Sequence, residues 1–205
     1  MRFMDMKALF RGRCLVTDGA MGTYYSQKYT MNRQAPECDN LTYPERIEAI
    51  HCEYLRAGAN LLRTNSFASN KETLLGRDFE HDGTQSLKKV YDNVYASYKI
   101  AERAVKKEGG GQTVYIAGDI GPLPWHGDQD EAESFEEYKT MAGAHLDAGA
   151  KIIWFETFAD LKGILPVIRW IKSVSGAFIM VSFSINKFGY TKSGISAAGI
   201  LDMVK

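Results

Sequence analysis

Acidic side chains stand directly after several short apolar segments of this 205-residue chain. Asp18 ends the segment Cys-Leu-Val-Thr-Asp, Asp119 follows Tyr-Ile-Ala-Gly, and Glu156 follows Lys-Ile-Ile-Trp-Phe. A carboxylate against an apolar wall needs a compensating partner, which is either a ligand or a neighbouring arginine or lysine. Two convergent carboxylates with backbone N–H donors nearby would suit an amino acid, with its ammonium on the acids and its carboxylate on the N–H groups.

The segment Asp18-Gly-Ala-Met-Gly-Thr23 offers such backbone donors, since its two glycines allow close approach of a ligand. A simple strand-end turn is the alternative explanation. Asp119 precedes Ile-Gly-Pro, and we expect it to cap that loop, with substrate contact as the alternative. His126 lies in a loop, either as a surface residue or in contact with a substrate or co-substrate. His51 and His145 fall beside apolar helix faces and are expected to be satisfied interface residues.

The elements that position these residues follow from hydrophobic periodicity. Short runs rich in apolar and β-branched residues predict strands at 14–18, 60–64, 113–118, 151–156 and 177–183. Helical periodicity separates them, and the predicted helices cover 42–56, 85–107, 134–149, a segment from near 160, and 196–205. Two capping boxes, Thr42/Glu45 and Ser134/Glu137, are expected to open helices, whereas Pro166 indicates a kink or a later start of the fourth helix.

Repeated strand–helix units indicate a parallel sheet. The segments 55–67 and 146–158 share one pattern, a helix end, a glycine, a buried strand and a polar residue at its carboxyl end. Apolar strands of this kind are typical of parallel sheets buried on both faces, in a doubly wound sheet or a (β/α)₈ barrel. The barrel is favoured because it brings all carboxyl ends to one mouth, and because GxGxxG and Walker motifs are absent from the sequence.

The number of units predicts only part of a barrel. A complete barrel typically needs ~250 residues, and only five or so strand–helix units are recognisable here. The sequence therefore predicts an α/β fold in which residues 1–205 form one domain, the N-terminal part of a (β/α)₈ TIM barrel. In order of preference, the chain is a fragment, a partner supplies the missing part, or strands have escaped recognition.

Composition limits the kinds of binding partner and the cellular location that the sequence predicts. The chain has 25 Lys+Arg and 25 Asp+Glu, so no net charge attracts nucleic acid or an anionic membrane. No apolar run approaches the ~20 residues of a membrane span, and the charged start does not resemble a signal peptide, so a cytoplasmic protein is expected. Cys14, Cys38 and Cys52 are too few and too scattered for a disulfide framework or a CxxC metal motif. Reduced thiols are expected.

Several motifs together carry a family resemblance. They are, in chain order, Asp18-Gly-Ala-Met-Gly-Thr23, Cys38-Asp-Asn-Leu-Thr-Tyr-Pro-Glu45, Ala57-Gly-Ala59 before Thr64-Asn-Ser-Phe67, Gly118-Asp-Ile-Gly-Pro122, and Phe155-Glu-Thr-Phe158. In this order they resemble the homocysteine S-methyltransferase family. Among its branches they most resemble the homocysteine domains of cobalamin-dependent methionine synthase and of bacterial bifunctional methyltransferase/methylenetetrahydrofolate reductases.

The resemblance implies a barrel that binds homocysteine at its mouth, beside a zinc ion held by three cysteines. Asp18 and Glu156 would hold the amino group, and the backbone of Gly19, Ala20 and Met21 would meet the carboxylate. Thr64 and Asn65 would line the pocket. The zinc-bound thiolate of homocysteine would take a methyl group from methyltetrahydrofolate, directly or through cobalamin, to give methionine. S-methylmethionine and betaine are the alternative donors within the family.

The sequence departs from the family at the metal. The family's ligands are a cysteine after a later strand, in an Asn-Cys setting, and a Cys-Cys pair after two glycines, and neither occurs here. We therefore expect no metal ligand in this chain, with zinc bound in the complete domain, and little activity of the chain alone. Cys14, within a strand, should point into the core or at a helix. Two alternatives remain: a noncatalytic partial barrel that binds a partner or forms a homo-oligomer through its open edges, and an enzyme using Asp18 and Glu156 as an acid/base pair on another small amine.

Overall fold

The computed structural model describes residues 14–29, 35–76, 83–124 and 130–203, and its centre is a parallel β-sheet. The strands follow one another in sequence order across the sheet, and each pairs in parallel with the next. They are β1 (Leu61–Arg63), β2 (Tyr115–Ile120), β3 (Ile152–Phe158) and β4 (Phe178–Phe183). Sequential parallel neighbours are the arrangement that consecutive βα units of a barrel produce.

The segment predicted as the first strand lies beside β1 without forming a regular strand. A single parallel bridge joins Thr17 to Leu61. The Val16 carbonyl accepts from the N–H groups of Asn60 and Leu61, at 2.9 and 3.1 Å. Cys14 is exposed, so the expectation that its side chain points into the core or at a helix is wrong.

Helices precede, separate and follow the strands. They are α1 (Met21–Lys28), α2 (Asp39–Thr42), α3 (Pro44–Arg56), α4 (Lys71–Leu75), α5 (Gly83–Glu108), α6 (Glu131–Ala148), α7 (Leu165–Val174) and α8 (Ala197–Met203), with a 3₁₀ turn at Pro36–Cys38. Within the described ranges, no helix combines the length and the apolar character that crossing a membrane requires.

Both predicted capping boxes are wrong. Thr42 is the last residue of α2, and its hydroxyl donates to the Cys38 carbonyl at 3.2 Å, while α3 begins at Pro44 without a side-chain cap. Helix α6 begins three residues before Ser134, where Asp130 caps it by accepting from the Ala132 N–H at 2.9 Å. Pro166 was expected to cause either a kink or a later start of the helix. It lies in the first turn of α7, so the helix starts later than the apolar pattern suggests.

The main core lies between the sheet and helices α5, α6 and α7. The apolar stripe of α5 contributes Val90 and Val94, and β3 contributes Ile153 and Phe155, all fully buried. Burying side chains of this size stabilises the fold by roughly 1.5–3 kcal/mol each. This packing holds the strands rigidly, so their carboxyl ends are fixed relative to one another.

Candidate functional site

A cavity of about 320 Å³ opens at the carboxyl ends of β1, β2 and β3. Every candidate site residue that the structure describes lines it: Asp18, Gly19, Ala20, Met21, Thr64, Asn65, Asp119 and Glu156. His126 lies outside the described residues. The cavity volume is that of a site for a small molecule, and its lining combines carboxylates with the start of a helix.

Arg63, the last residue of β1, joins two of these carboxylates. Its Nε donates to Asp18 Oδ1 at 2.9 Å, and its Nη1 donates to Glu156 Oε1 at 2.6 Å. Its Nη2 donates to the carbonyl oxygens of Asp18 and Gly19, at 3.1 and 3.0 Å. The planar guanidinium thus fixes both acids and the backbone at Asp18 and Gly19, which a lysine could not do from one ammonium.

Burial and charge compete at this ion pair. Burial raises the pKa of Asp18, and the charge and hydrogen bonds of Arg63 oppose that rise. Burial alone would lower the pKa of Arg63, but Asp18 and Glu156 raise it above its ordinary value, so Arg63 stays a cation. The structure thus contains the protein-borne cation that Glu156 was expected to need, and Asp18 shares it.

Asp119 lies deeper in the same cavity. The residue is 4% exposed, and its Oδ1 has no hydrogen-bond partner in the described part of the chain. Burial, followed by the charge of Glu156, raises the pKa of Asp119 well above its usual value. Asp119 lies within β2, and its carboxyl group lines the cavity. The preference for a loop-capping role is therefore wrong.

Thr64 and Asn65 line the cavity, but their polar groups bond to the protein. The Thr64 hydroxyl lies 2.7 Å from the Ser66 hydroxyl and accepts from the Asp119 N–H at 2.9 Å. The Asn65 amide donates to the Pro36 carbonyl and to Asn40 Oδ1, both at 3.0 Å. These side chains therefore fix the cavity walls.

A buried histidine supports the floor. His145 Nε2 lies 3.2 Å from the Ser66 hydroxyl and 3.4 Å from the Asp119 carbonyl oxygen, and burial lowers its pKa to about 4. It is therefore a neutral ring at neutral pH. Its Nδ1 has no partner within the described ranges, so it is only partly satisfied. A Cβ at Gly118 would lie 2.5 Å from the His145 ring, which explains the glycine before Asp119.

Strand β3 is irregular next to Glu156. The pairing with β4 shifts between Phe155 and Phe158, and Thr157 has a φ of 62°, which is unusual for a β-branched residue. The Thr157 N–H donates to the Ser182 hydroxyl at 3.1 Å. Both phenylalanines pack in the main core, and the irregularity leaves Glu156 facing the cavity between them.

Sequence reasoning missed two charged residues of the site. Arg63 carried a signal, because a charged residue ending the apolar run Leu61–Leu62 was the natural partner for the expected acids. Glu37 also lines the cavity, where its Oε1 accepts from the Ala68 N–H at 3.0 Å, and burial raises its pKa. It precedes Cys38 in a segment without strand or helix periodicity, so no sequence signal singled it out.

The start of α1 also lines the cavity. Ala20 is the N-cap and provides no side-chain hydrogen bond to the first turn, while Met21 and Gly22 line the cavity. Free N–H groups and the positive end of the helix dipole favour an anion there. The site thus combines carboxylates with a helix N-terminus.

The described residues do not fit a three-cysteine zinc site. Within residues 14–29, 35–76, 83–124 and 130–203, no group of three or more His, Cys, Asp or Glu side chains is arranged to hold a metal ion. Cys14 is exposed, Cys52 is buried, and the Cys38 thiol donates to the Thr73 carbonyl at 3.7 Å. Burial raises the pKa of both Cys38 and Cys52, which is the opposite of what a thiolate ligand requires.

Parallel βα units with a polar cavity at the carboxyl ends define an α/β protein of the TIM-barrel type, with its site at the mouth. Residues 15–205 match the family model described as homocysteine S-methyltransferase, and the chain belongs to that family. The predicted fold class and family resemblance are both confirmed.

Curated relatives include a methionine synthase from Mycobacterium tuberculosis, 31% identical over 167 residues, which cover 77% of this chain and 13% of the relative. A homocysteine S-methyltransferase from Escherichia coli is 25% identical over 161 residues, which cover 74% of this chain and 51% of the relative. The chain thus spans about half, or much less, of the length of these relatives.

Solved structures show the same fold. The metallated form of homocysteine methyltransferase MmuM from Escherichia coli superposes with a TM-score of 0.77 at 18% identity, covering 97% of this chain and 73% of that one. Its oxidized form gives a TM-score of 0.80 at 19% identity, covering 97% and 72%.

Proposed function

We propose that the cavity binds homocysteine, and that the domain transfers a methyl group to the homocysteine thiol to give methionine. The observation that carries this proposal is the convergence of Asp18 and Glu156, distant in sequence, on one guanidinium beside a free helix N-terminus. Membership of the homocysteine S-methyltransferase family supports the same substrate.

The charges of the site suit an amino acid. Arg63 balances one of the two carboxylates that it contacts, so the acidic side keeps a negative charge that favours an ammonium group. The backbone of Gly19, Ala20 and Met21, at the start of α1, would bind the carboxylate. Bound at both charged groups, homocysteine would present its side-chain thiol in a fixed direction to a methyl donor.

The chain's own contribution to catalysis would be binding and orientation. A thiol with an ordinary pKa of ~8.5 is mostly protonated at neutral pH, and the described residues include no metal site that could activate it. We propose methyltetrahydrofolate as the donor, directly or through cobalamin, because the motif pattern favours that branch and methionine synthases are among the relatives.

A separate proposal concerns the oligomeric state of the chain. The large side chains after β4 are strongly exposed, with Phe188 at 74%, Leu201 at 61% and Ile185 at 49%. Exposed apolar side chains in one region favour association with a partner or a second copy. The homo-oligomer stays a prediction, which sedimentation equilibrium of the chain would test.

Calorimetric titration of the chain with L-homocysteine tests the substrate. We expect binding that weakens at least about tenfold for 4-mercaptobutanoate, which lacks the amine, because a charge-assisted hydrogen bond is lost. Glu156→Gln should weaken homocysteine binding by a similar factor. Equal affinity for both compounds, or an unchanged affinity of the Glu156→Gln variant, would contradict the proposal.

A further inference from the structure

A small hydrogen-bond network joins the residues after β1 to the end of β2. The Asp119 N–H donates to the Thr64 hydroxyl at 2.9 Å, and the Ser66 hydroxyl donates to the Asp119 carbonyl at 2.7 Å. The two hydroxyls lie 2.7 Å apart. Both backbone polar groups of Asp119 are thus held by side chains that follow β1. Because Asp119 and Thr64 line the cavity, this network sets part of the cavity wall.

His145 joins this network from helix α6. Its ring is fully buried, with Nε2 at 3.2 Å from the Ser66 hydroxyl and 3.4 Å from the Asp119 carbonyl oxygen. The ring lies against Gly118, where a Cβ would come within 2.5 Å of it, and Tyr98 of α5 makes an edge contact with centroids 6.3 Å apart. Packing therefore holds the ring against the network.

The hydrogens of the network decide which nitrogen of His145 carries the proton. The Ser66 hydroxyl has a single hydrogen, and the Asp119 carbonyl, which can only accept, takes it. The Thr64 hydroxyl accepts from the Asp119 N–H and so gives its own hydrogen to Ser66. Both oxygens near Nε2 therefore accept from it, and Nε2 is the protonated nitrogen. Nδ1 has no partner in the described part of the chain.

We propose that His145 is a positioning residue of the cavity: protonated at Nε2, its ring keeps the Ser66 hydroxyl on the Asp119 carbonyl. This clamp sets the position of Asp119 and Thr64 in the cavity wall. Ligand affinity then depends on a side chain that does not line the cavity. The inference rests on the proposed function, since its affinity measurement uses the substrate proposed there. Glycine is required at position 118 because a side chain there would displace the ring.

Two substitutions of His145 separate a hydrogen-bond donor from packing. Glutamine places an amide N–H donor near the position of Nε2, whereas leucine fills similar space without a donor. L-homocysteine is titrated calorimetrically into each chain at pH 7. His145→Leu should bind it about three- to tenfold more weakly than wild type, because a lost hydrogen bond leaves the wall misplaced in part of the population. His145→Gln should recover most of that affinity.

Met141→Ala is the matched control, one turn earlier on α6 and also fully buried. It removes packing but no donor, so it should lower stability, measured by thermal denaturation, while homocysteine affinity changes by less than about twofold. Equal affinities of wild type and His145→Leu would overturn the inference. So would a loss in His145→Gln as large as that in His145→Leu, or the same loss in Met141→Ala.

Long-range ¹H–¹⁵N spectra of the histidine rings test the inference without a ligand. At pH 7, wild type should show the His145 proton on Nε2, with the signal assigned by its absence from His145→Gln. The backbone amide resonances of Ser66 and Asp119 should move in His145→Leu and return towards their wild-type positions in His145→Gln. A ring protonated at Nδ1, or at both nitrogens, would overturn the inference.

The two measurements distinguish this inference from the proposed function. If wild type does not bind homocysteine but the ring proton and the amide resonances are as expected, the clamp stands and the proposed substrate is wrong. If homocysteine binds equally well to wild type and His145→Leu, the substrate stands and the positioning role is wrong. If homocysteine does not bind and the proton lies on Nδ1, both fail.

Discussion

The helix-facing side of the sheet and the rim at its carboxyl ends are both buried, but different forces hold them. On the helix side, Leu62, Ile153 and Phe155 are fully buried among other apolar side chains. At the rim, Asp18 and Arg63 are held by specific ionic hydrogen bonds. Apolar contacts are many and individually small, whereas a buried charge depends on one partner, so the rim is the region where a single residue decides the structure.

Unsatisfied polar atoms have different meanings in the two regions. On the helix side, both ring nitrogens of His51 are buried without a partner in the described part of the chain, so the expectation of a satisfied interface residue is wrong there. At the rim, the unpartnered atom is Asp119 Oδ1, beside a cavity. The first is a cost of folding within the packed interior, whereas the second belongs to a residue that lines the cavity.

The largest expected effect comes from removing the shared cation. Arg63→Met leaves the buried Asp18 carboxylate with a bond from the backbone N–H of residue 63 but without a compensating cation, which should destabilise the chain by about 3–5 kcal/mol. A second change, Asp18→Asn, removes the stranded charge and should recover more than half of that loss. Urea denaturation of both variants at pH 7 measures the two free energies of unfolding.

The matched control lies on the helix side. Phe155→Ala should also cost about 3–5 kcal/mol, through the cavity that it leaves, but Asp18→Asn should not restore that stability. If Asp18→Asn fails to rescue Arg63→Met, or rescues Phe155→Ala equally, the difference between the two regions is not one of charge compensation.

The next effect concerns His51 and acid. Burial lowers its pKa from 6.5 to about 4, so the unfolded chain binds a proton that the folded chain refuses between these two values. Stability is therefore lost as pH falls from 6.5 towards 4, by roughly 3 kcal/mol from this histidine. His51→Leu should be at least as stable as wild type at pH 7, and its advantage should grow by that amount at pH 4, measured by denaturation at both pH values.

Ile50→Val on the same helix is the control, since it changes packing without a titrating group. Its difference from wild type should be the same at pH 7 and pH 4. Asp18 at the rim should change stability with pH in the opposite direction to His51. Its pKa is raised in the folded chain, so its contribution to stability increases as the pH falls through that folded-state pKa. If the stability of His51→Leu changes between pH 7 and pH 4 by the same amount as that of wild type, the His51 ring takes up a proton in the folded chain as readily as in the unfolded chain.

The sequence was sufficient for those features that depend on local patterns. Apolar runs placed β2, β3 and β4 within two residues of their observed starts and ends, because a strand buried on both faces has few polar positions. The rim carboxylates were found because they end such runs. The cavity itself, with Asp18 and Glu156 bound to one guanidinium, is a tertiary contact that no local pattern reports.

The errors came from residues whose partners are distant in sequence. Glu137 was assigned to a capping box, but its carboxylate accepts from the Lys71 N–H at 2.6 Å on a different helix. Asp119 was expected to cap a loop, because nothing in its neighbours shows that it lines the same cavity as Glu156. Local propensity is a weak guide wherever a buried polar group finds its partner across the fold.

The smallest expected effect tests whether the rim stores strain. Thr157 has a φ of 62° beside Glu156, and a β-branched residue in that conformation costs of order 1–3 kcal/mol, of which the greater flexibility of glycine in the unfolded chain offsets about 0.5–1 kcal/mol. Thr157→Gly should therefore raise stability by about 1 kcal/mol, while Thr157→Ala, which keeps a Cβ, should change it less; thermal denaturation measures both. Because the backbone bond to Ser182 is kept in each variant, a loss of stability in Thr157→Gly would mean that the threonine side chain itself supports the rim, and that the irregularity in β3 is relaxed.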